Sequence, residues 1–128
     1  MSAEVVLDAS VAANLFFEDG GSAQALIAPD LILTEMAHLC LKRMRRGECS
    51  REQAKAAVDG VKALLDEIAP VIELSSRAFD LAADDDLSAY DATYLALAET
   101  RDASVLTADR RLSQRATKPG VIGLVRLL

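Results

Sequence analysis

Short apolar runs alternate with stretches of helical periodicity along the whole chain. Glu4 to Leu7, built on the apolar run Val5-Val6-Leu7 with its two β-branched valines, predicts a short buried strand. Val11 to Phe16 predicts a helix after it, Asp19-Gly20-Gly21-Ser22 marks a turn, and a short helix is expected beyond the turn. Pro29-Asp30 reads as a helix start, since proline loses nothing in a first turn and Asp favours the positive end of the dipole. That helix is expected to run to about Arg46 and to stop at Gly47. Leu33, Met36, Ala37, Cys40 and Met44 make its apolar stripe, and Glu35, His38, Lys42 and Arg45 make the opposite one.

Ser50 with Gln53 has the form of a capping box. Ala54, Ala57, Val58, Val61, Leu64, Leu65 and Ile68 then repeat at helical spacing up to Pro70. Val71 to Leu74 predicts a second strand, and Ser75 or Ser76 is expected to cap a short helix containing Phe79 and Leu81. A helix from Ser88 to Glu99, a strand from Ser104 to Thr107, a helix from Asp109 to Arg115 and a last strand from Val121 to Leu124 complete the reading. No linker or repeat interrupts the pattern, so residues 1–128 are expected to form one domain. Strands separated by helices predict an α/β fold, a three-layer α/β/α sandwich around a small parallel sheet of about four strands.

Composition narrows this little, but charge changes the picture. Aromatic residues are 4% of the chain and Trp is absent, so the core must come from Ala, Leu, Val and Ile. The net charge of −6 taken alone argues against a nucleic-acid partner. Charge is segregated, however: Lys42, Arg43, Arg45, Arg46, Arg51 and Lys55 form one basic group, and Arg110, Arg111, Arg115 and Lys118 another. Asp84-Asp85-Asp86 reads as a solvated connector. Cys40 and Cys49 have no zinc-site spacing and fit a reducing, cytoplasmic setting. No apolar run approaches membrane-spanning length, so no membrane partner is expected.

Asp8, Glu35, Asp91 and Asp109 each adjoin segments that should be buried, where an unpaired carboxylate is costly. In a doubly wound sheet, ligands bind beyond the carboxyl ends of the strands. Asp8 ends the first strand and Asp109 follows the strand from Ser104, while Asp91 opens the helix that leads back into it. Topology therefore brings these three together. Glu35 lies in a run of consecutive helices, and topology does not place it. Taken singly, Asp8 and Asp109 read equally well as helix caps, Ser88 and Asp91 as a capping box, and Glu35 as a solvated helix residue. A shared pocket of hard oxygen donors implies a divalent cation, Mg²⁺ or Mn²⁺.

Val6-Leu7-Asp8-Ala9-Ser10, the helical Glu35, Leu87-Ser88-Ala89-Tyr90-Asp91-Ala92-Thr93-Tyr94-Leu95-Ala96-Leu97-Ala98 and Leu106-Thr107-Ala108-Asp109 together resemble the PIN domain, and within it the VapC-type toxins. The resemblance covers the whole chain in order. It implies a Mg²⁺- or Mn²⁺-dependent endoribonuclease, with Asp8, Glu35, Asp91 and Asp109 as catalytic metal ligands and Ser10 and Thr107 supporting them through their hydroxyls. It also implies an RNA substrate, a product 5′-phosphate and 3′-hydroxyl, a small antitoxin that blocks the site, and a toxin homodimer. The family often carries Asn three residues after the helical Glu, where this chain has His38.

With a single histidine, a metal-free ribonuclease that uses two histidines as acid and base is excluded. One or two cations would activate water for in-line attack on phosphorus. Lys42, Arg43, Arg45 and Arg46 begin on the helical face of Glu35 and are candidates for tracking the RNA backbone. A phosphoacceptor receiver domain shares the length and layer order but needs paired acids after the first strand, where Asp8 is followed by Ala9 and Ser10. A PIN-like RNA-binding module without catalysis is the other alternative.

Overall fold

A computed structural model describes residues 4–12, 25–115 and 125–127. Strand β1 (Glu4–Leu7) is followed by helical residues 9–12, β2 (Ala25–Pro29), α1 (Leu31–Arg45), α2 (Arg51–Leu64) and β3 (Glu67–Ala69). A 3₁₀ turn (Val71–Glu73), α3 (Ser75–Asp85), α4 (Ala89–Arg101), β4 (Ser104–Thr107), α5 (Arg110–Arg115) and β5 (Val125–Leu127) follow. The strands form a five-stranded sheet in the order β3-β2-β1-β4-β5, with every pairing parallel. Helices flank it, giving the expected α/β/α layering. No helix among the described residues is long and apolar enough to cross a membrane.

β1 is central because its residues have nowhere else to go. Val5, Val6 and Leu7 are at most 2% exposed, and burying each such side chain contributes about 1.5–3 kcal/mol. α4 lies across β1, β2 and β4 and is buried without interruption from Ala92 to Ala98. Its alanines permit this close approach, and Ser88 caps its start by accepting the Asp91 N–H at 3.0 Å.

Several local expectations hold as read. The Ser50–Gln53 capping box is reciprocal, with bonds of 3.1 and 2.8 Å. At the end of α1, Gly47 adopts φ +76°, and the Gly47 and Glu48 N–H groups bond back to Met44 and Arg43. This is the Schellman closure that favours glycine. The buried line of α1 runs through Ile32, Met36 and Cys40, while Leu33, Ala37 and Met44 are only partly covered.

Other expectations are corrected. Ala25–Pro29, where a helix was expected to extend, is a strand held between β1 and β3. Ala-Leu-Ile-Ala is a short apolar run that periodicity cannot distinguish from a helix, and pairing on both edges decides it. The next strand lies before Pro70 and not after it. Asp66 sets its position by accepting the Leu26 N–H at 2.8 Å and donating its own to the Leu26 carbonyl at 2.7 Å. Val71–Glu73 turns away as a 3₁₀ segment with Ile72 86% exposed. Asp30 makes no side-chain cap for α1, because its carboxylate accepts the Val71 N–H at 3.1 Å and holds that turn. Neither Ser75 nor Ser76 caps α3; the 3₁₀ turn runs into it through Leu74. The sheet therefore has five strands where about four were expected. The Asp19–Ser22 turn, the helix beyond Ala12 and the strand at 121–124 lie outside the described residues.

The far end of α4 is fastened to the amino edge of the sheet. The Arg101 guanidinium bonds Glu4 of β1 and Glu67 of β3, with closest distances of 2.6 Å to each. Arg101→Met is expected to lower the melting temperature by a few degrees, with a smaller deficit in molar salt. Thermal unfolding at two ionic strengths checks this.

Candidate active site

Two carboxylates stand where strands give way to helices, as parallel topology requires, and a third opens the helix that leads back into β4. Asp8 directly follows β1, and its backbone still belongs to the ladder, donating to the Leu106 carbonyl at 3.1 Å. Its carbonyl already accepts the Val11 and Ala12 N–H groups at 3.0 and 3.1 Å, so the chain turns into a helix at this residue. Asp109 follows β4 and accepts the Arg111 N–H at 2.8 Å, which realises the capping role read from its position. Asp91 occupies the first turn of α4.

Glu35 arrives by the route that the sequence did not reveal. Because β2 lies beside β1 and parallel to it, α1 starts at the same carboxyl edge, and Glu35 sits in its second turn. All four acids consequently line one cleft of about 490 Å³, with Ser10, His38 and Tyr90 among its other walls. His38 is thus on the cleft wall, one turn from Glu35.

A layer of hydroxyls holds two of these acids. Thr107, fully buried, donates to the Asp8 carboxylate at 2.5 Å and accepts the Asp109 backbone N–H at 3.0 Å, so one side chain orients the first acid and ties it to the backbone of the second. The Ser10 N–H reaches the other Asp8 oxygen at 3.3 Å, while the Ser10 hydroxyl accepts from Ala108 at 3.2 Å. Tyr94 does the equivalent for Glu35, donating its phenol proton at 2.5 Å. Tyr94 is 2% exposed and also receives a backbone hydrogen bond from Ala9.

Tyr94 is the residue that sequence reasoning missed. It lies one helical turn after Asp91 in a buried helix, and a buried tyrosine needs a partner for its hydroxyl. That need was the available signal.

The acids work against one another electrostatically. Burial raises the Asp8 carboxyl above its ordinary range; the Thr107 and Ser10 bonds oppose this, and Asp109 adds to it. Burial likewise raises Glu35, against the Tyr94 bond and with repulsion from Asp8 and Asp91. Burial, followed by the charge of Glu35, raises the Tyr94 phenol far above its normal value, so the phenol stays protonated and remains a donor.

The donors are all carboxylate oxygens, the set that selects Mg²⁺ or Mn²⁺ over softer ions. As they stand, no three acid, histidine or cysteine side chains among the described residues are close enough together to grip one ion. Asp8 is turned toward Thr107 and Glu35 toward Tyr94, as mutual repulsion among uncompensated carboxylates favours. The chemistry of the set fits a hard divalent cation.

The basic run of α1 divides. Lys42, Arg43 and Arg46 line a second pocket of about 390 Å³ that also includes Ser10, Leu39, Glu48 and Ala108. Arg45 is exposed and lines neither cavity.

The PIN domain profile matches residues 5–118. Ribonuclease VapC9 of Mycobacterium tuberculosis is 33% identical over 85% of this chain and 88% of its own length. Ribonuclease VapC1 of the same organism is 33% identical over 96% of this chain and 98% of its own. Among solved structures, PAE2754 from Pyrobaculum aerophilum matches with a TM-score of 0.67 and 22% identity, covering 89% of this chain and 85% of that one. VapBC2 from Rickettsia felis, solved bound to a promoter DNA fragment, matches with a TM-score of 0.70 and 13% identity over 98% of both chains. These structures share the fold. With a profile match over most of its length and two relatives at this identity, the chain belongs to the PIN domain family.

Proposed function

We propose that this protein is a Mg²⁺- or Mn²⁺-dependent endoribonuclease, the toxin of a type II toxin–antitoxin pair acting in the cytoplasm. The observation that carries this reading is the lining of one cleft by Asp8, Glu35, Asp91 and Asp109 at the carboxyl edge of the sheet. Two relatives that cover most of the chain are named ribonucleases, and the Rickettsia VapBC2 structure supports an antitoxin as partner. A second copy of the chain is the other proposed partner, with Ile72 and Phe79 as exposed apolar surface for it.

A divalent cation, when bound in the cleft, would supply the charge for activating water against phosphorus and for offsetting charge on the leaving oxygen. The protein's share of the work is positional. Asp8, Glu35, Asp91 and Asp109 would hold the cation once their carboxylates turn into the cleft. Thr107 and Ser10 fix the Asp8 carboxylate, and Tyr94 fixes Glu35. His38, on the cleft wall, stands where it can contact the RNA or steady the site. Lys42, Arg43 and Arg46 are the proposed contacts to the RNA backbone, and Arg45, exposed and lining neither cavity, is left out of them.

Asp8→Asn and Asp91→Asn are each expected to reduce cleavage by about 100-fold or more while leaving the fold intact. Initial rates on RNA in Mg²⁺, with circular dichroism as the folding control, measure this. Wild-type rates in Asp91→Asn would sink the assignment.

Both raised acids bind a proton more tightly folded than unfolded, so each destabilises the metal-free fold as pH climbs past its ordinary value. Going from about pH 5 to about pH 8, the melting temperature of the wild type should therefore fall relative to that of Glu35→Gln. Millimolar Mg²⁺ should raise the wild-type value at the higher pH by preferential binding to the folded state. Identical pH slopes for the two proteins, or no response to Mg²⁺, would contradict the crowded site.

Tyr94→Phe keeps the buried ring and removes only the donor to Glu35. It should cost about 1–2 kcal/mol of stability and weaken Mn²⁺ binding by about 10-fold. Calorimetric titration with Mn²⁺ reads the second effect directly, and an unchanged affinity would confine Tyr94 to packing.

A further inference from the structure

The basic pocket beside the acidic cleft is a separate cavity with its own walls, and it abuts the site. Ser10 and Leu39 line both. Lys42 and Arg46 contribute exposed cationic side chains to it, and the more covered Arg43 also lies on its wall. Arg45, on the same last turn of α1 with the same charge, does not. The charge is therefore directed at one cavity and is not merely spread around a helix end. Favourable interaction with the helix dipole would account for basic residues in this turn, but not for which of them share a pocket.

Resting on the ribonuclease reading, we propose that this pocket is a phosphate subsite. It holds a phosphodiester next to the scissile one while the scissile phosphate lies in the acidic cleft. The physical need is clear. A chain with net charge −6 and four carboxylates in its cleft repels a polyanion. A cation in the cleft compensates for the phosphate being cut, but not for its neighbour, which needs its own countercharge. Lys42 and Arg46 supply it in a pocket that shares Ser10 and Leu39 with the cleft. Glu48, on the same wall, opposes an anion there, but Lys42, Arg43 and Arg46 outnumber it. The substrate strand is thereby held with a fixed side toward α1, and binding is strengthened by a charged linkage next to the scissile bond.

The test compares single-charge removals along one helical turn. Lys42→Ala and Arg46→Ala are each expected to raise KM for a short single-stranded RNA by about 10-fold, leave kcat unchanged and lower the salt dependence of binding by about one unit. Arg45→Ala should change KM by less than about twofold and serves as the control for helix stability. A neutral methylphosphonate placed next to the scissile bond, on one side only, should raise wild-type KM by a similar factor. It should have little further effect in the Lys42→Ala/Arg46→Ala double variant. Equal effects from all three single substitutions, or full additivity of the neutral linkage with the double variant, would overturn the subsite while leaving the nuclease intact. A wild-type protein that cleaves no RNA with Mg²⁺ or Mn²⁺ would instead overturn the ribonuclease reading on which the subsite rests.

Discussion

The parallel pairing of β1 with both β2 and β4 governs what this chain can do. Parallel strands end on the same side of a sheet, so whatever follows each of them meets there. β1 delivers Asp8, β4 delivers Asp109, and β2 delivers the start of α1 and with it Glu35. α4 runs the other way, from Ser88 and Asp91 at the carboxyl edge to Arg101 at the amino edge, where Glu4 and Glu67 receive it. The polar anchors at the two ends of α4 thus mark opposite edges of the same sheet. A buried apolar middle, Ala92 to Ala98, spans the distance between them.

This convergence has an electrostatic cost, and the local hydrogen bonds show how the fold bears it. Asp8 and Glu35 are both raised by burial and by their acidic neighbours. Each has a single strong donor from a buried hydroxyl, Thr107 for Asp8 and Tyr94 for Glu35. A hydroxyl suits this place better than a cation would. Lys or Arg in either position would neutralise the acid and compete with any ion the cleft holds, whereas a neutral donor fixes geometry and leaves the charge available. Thr107 extends the economy by also accepting the Asp109 N–H, which couples two acids through one oxygen.

The sequence was most legible where one local interaction decides the outcome. The Gly47 closure and the Ser50–Gln53 box depend on a few adjacent residues, and both are present as read. β1 and β4 were readable because Val5-Val6-Leu7 and Val105-Leu106 are too apolar and β-branched to be surface loops. β2 and β3 were not, since each is a short segment whose conformation is decided by a neighbour distant in sequence. Asp66 reaching Leu26 and Asp30 reaching Val71 are contacts across about forty residues, and no local pattern announces them. The same omission explains the candidate site. Asp8, Asp91 and Asp109 needed only strands that were recognised, whereas Glu35 needed β2. Tyr94 was hidden for a different reason: in an apolar helix it reads as core, and only the position of Glu35 reveals what its hydroxyl is for.

For a protein of net charge −6 to take up RNA as proposed, attraction and repulsion must be separated in space, and α1 carries both on one helix. Glu35 faces the acidic cleft near the start of the helix, and Lys42 and Arg46 face the neighbouring pocket near its end. Leu39 lies between them and walls both cavities, and Ser10, rising from the end of β1, completes the partition. The net charge of −6 therefore misleads as a guide to partners, because it averages two fields set side by side. Since Glu35, Lys42 and Arg46 stand on one helix that closes at Gly47, the backbone fixes the order in which the two fields follow each other. A strand of RNA would meet them in one register.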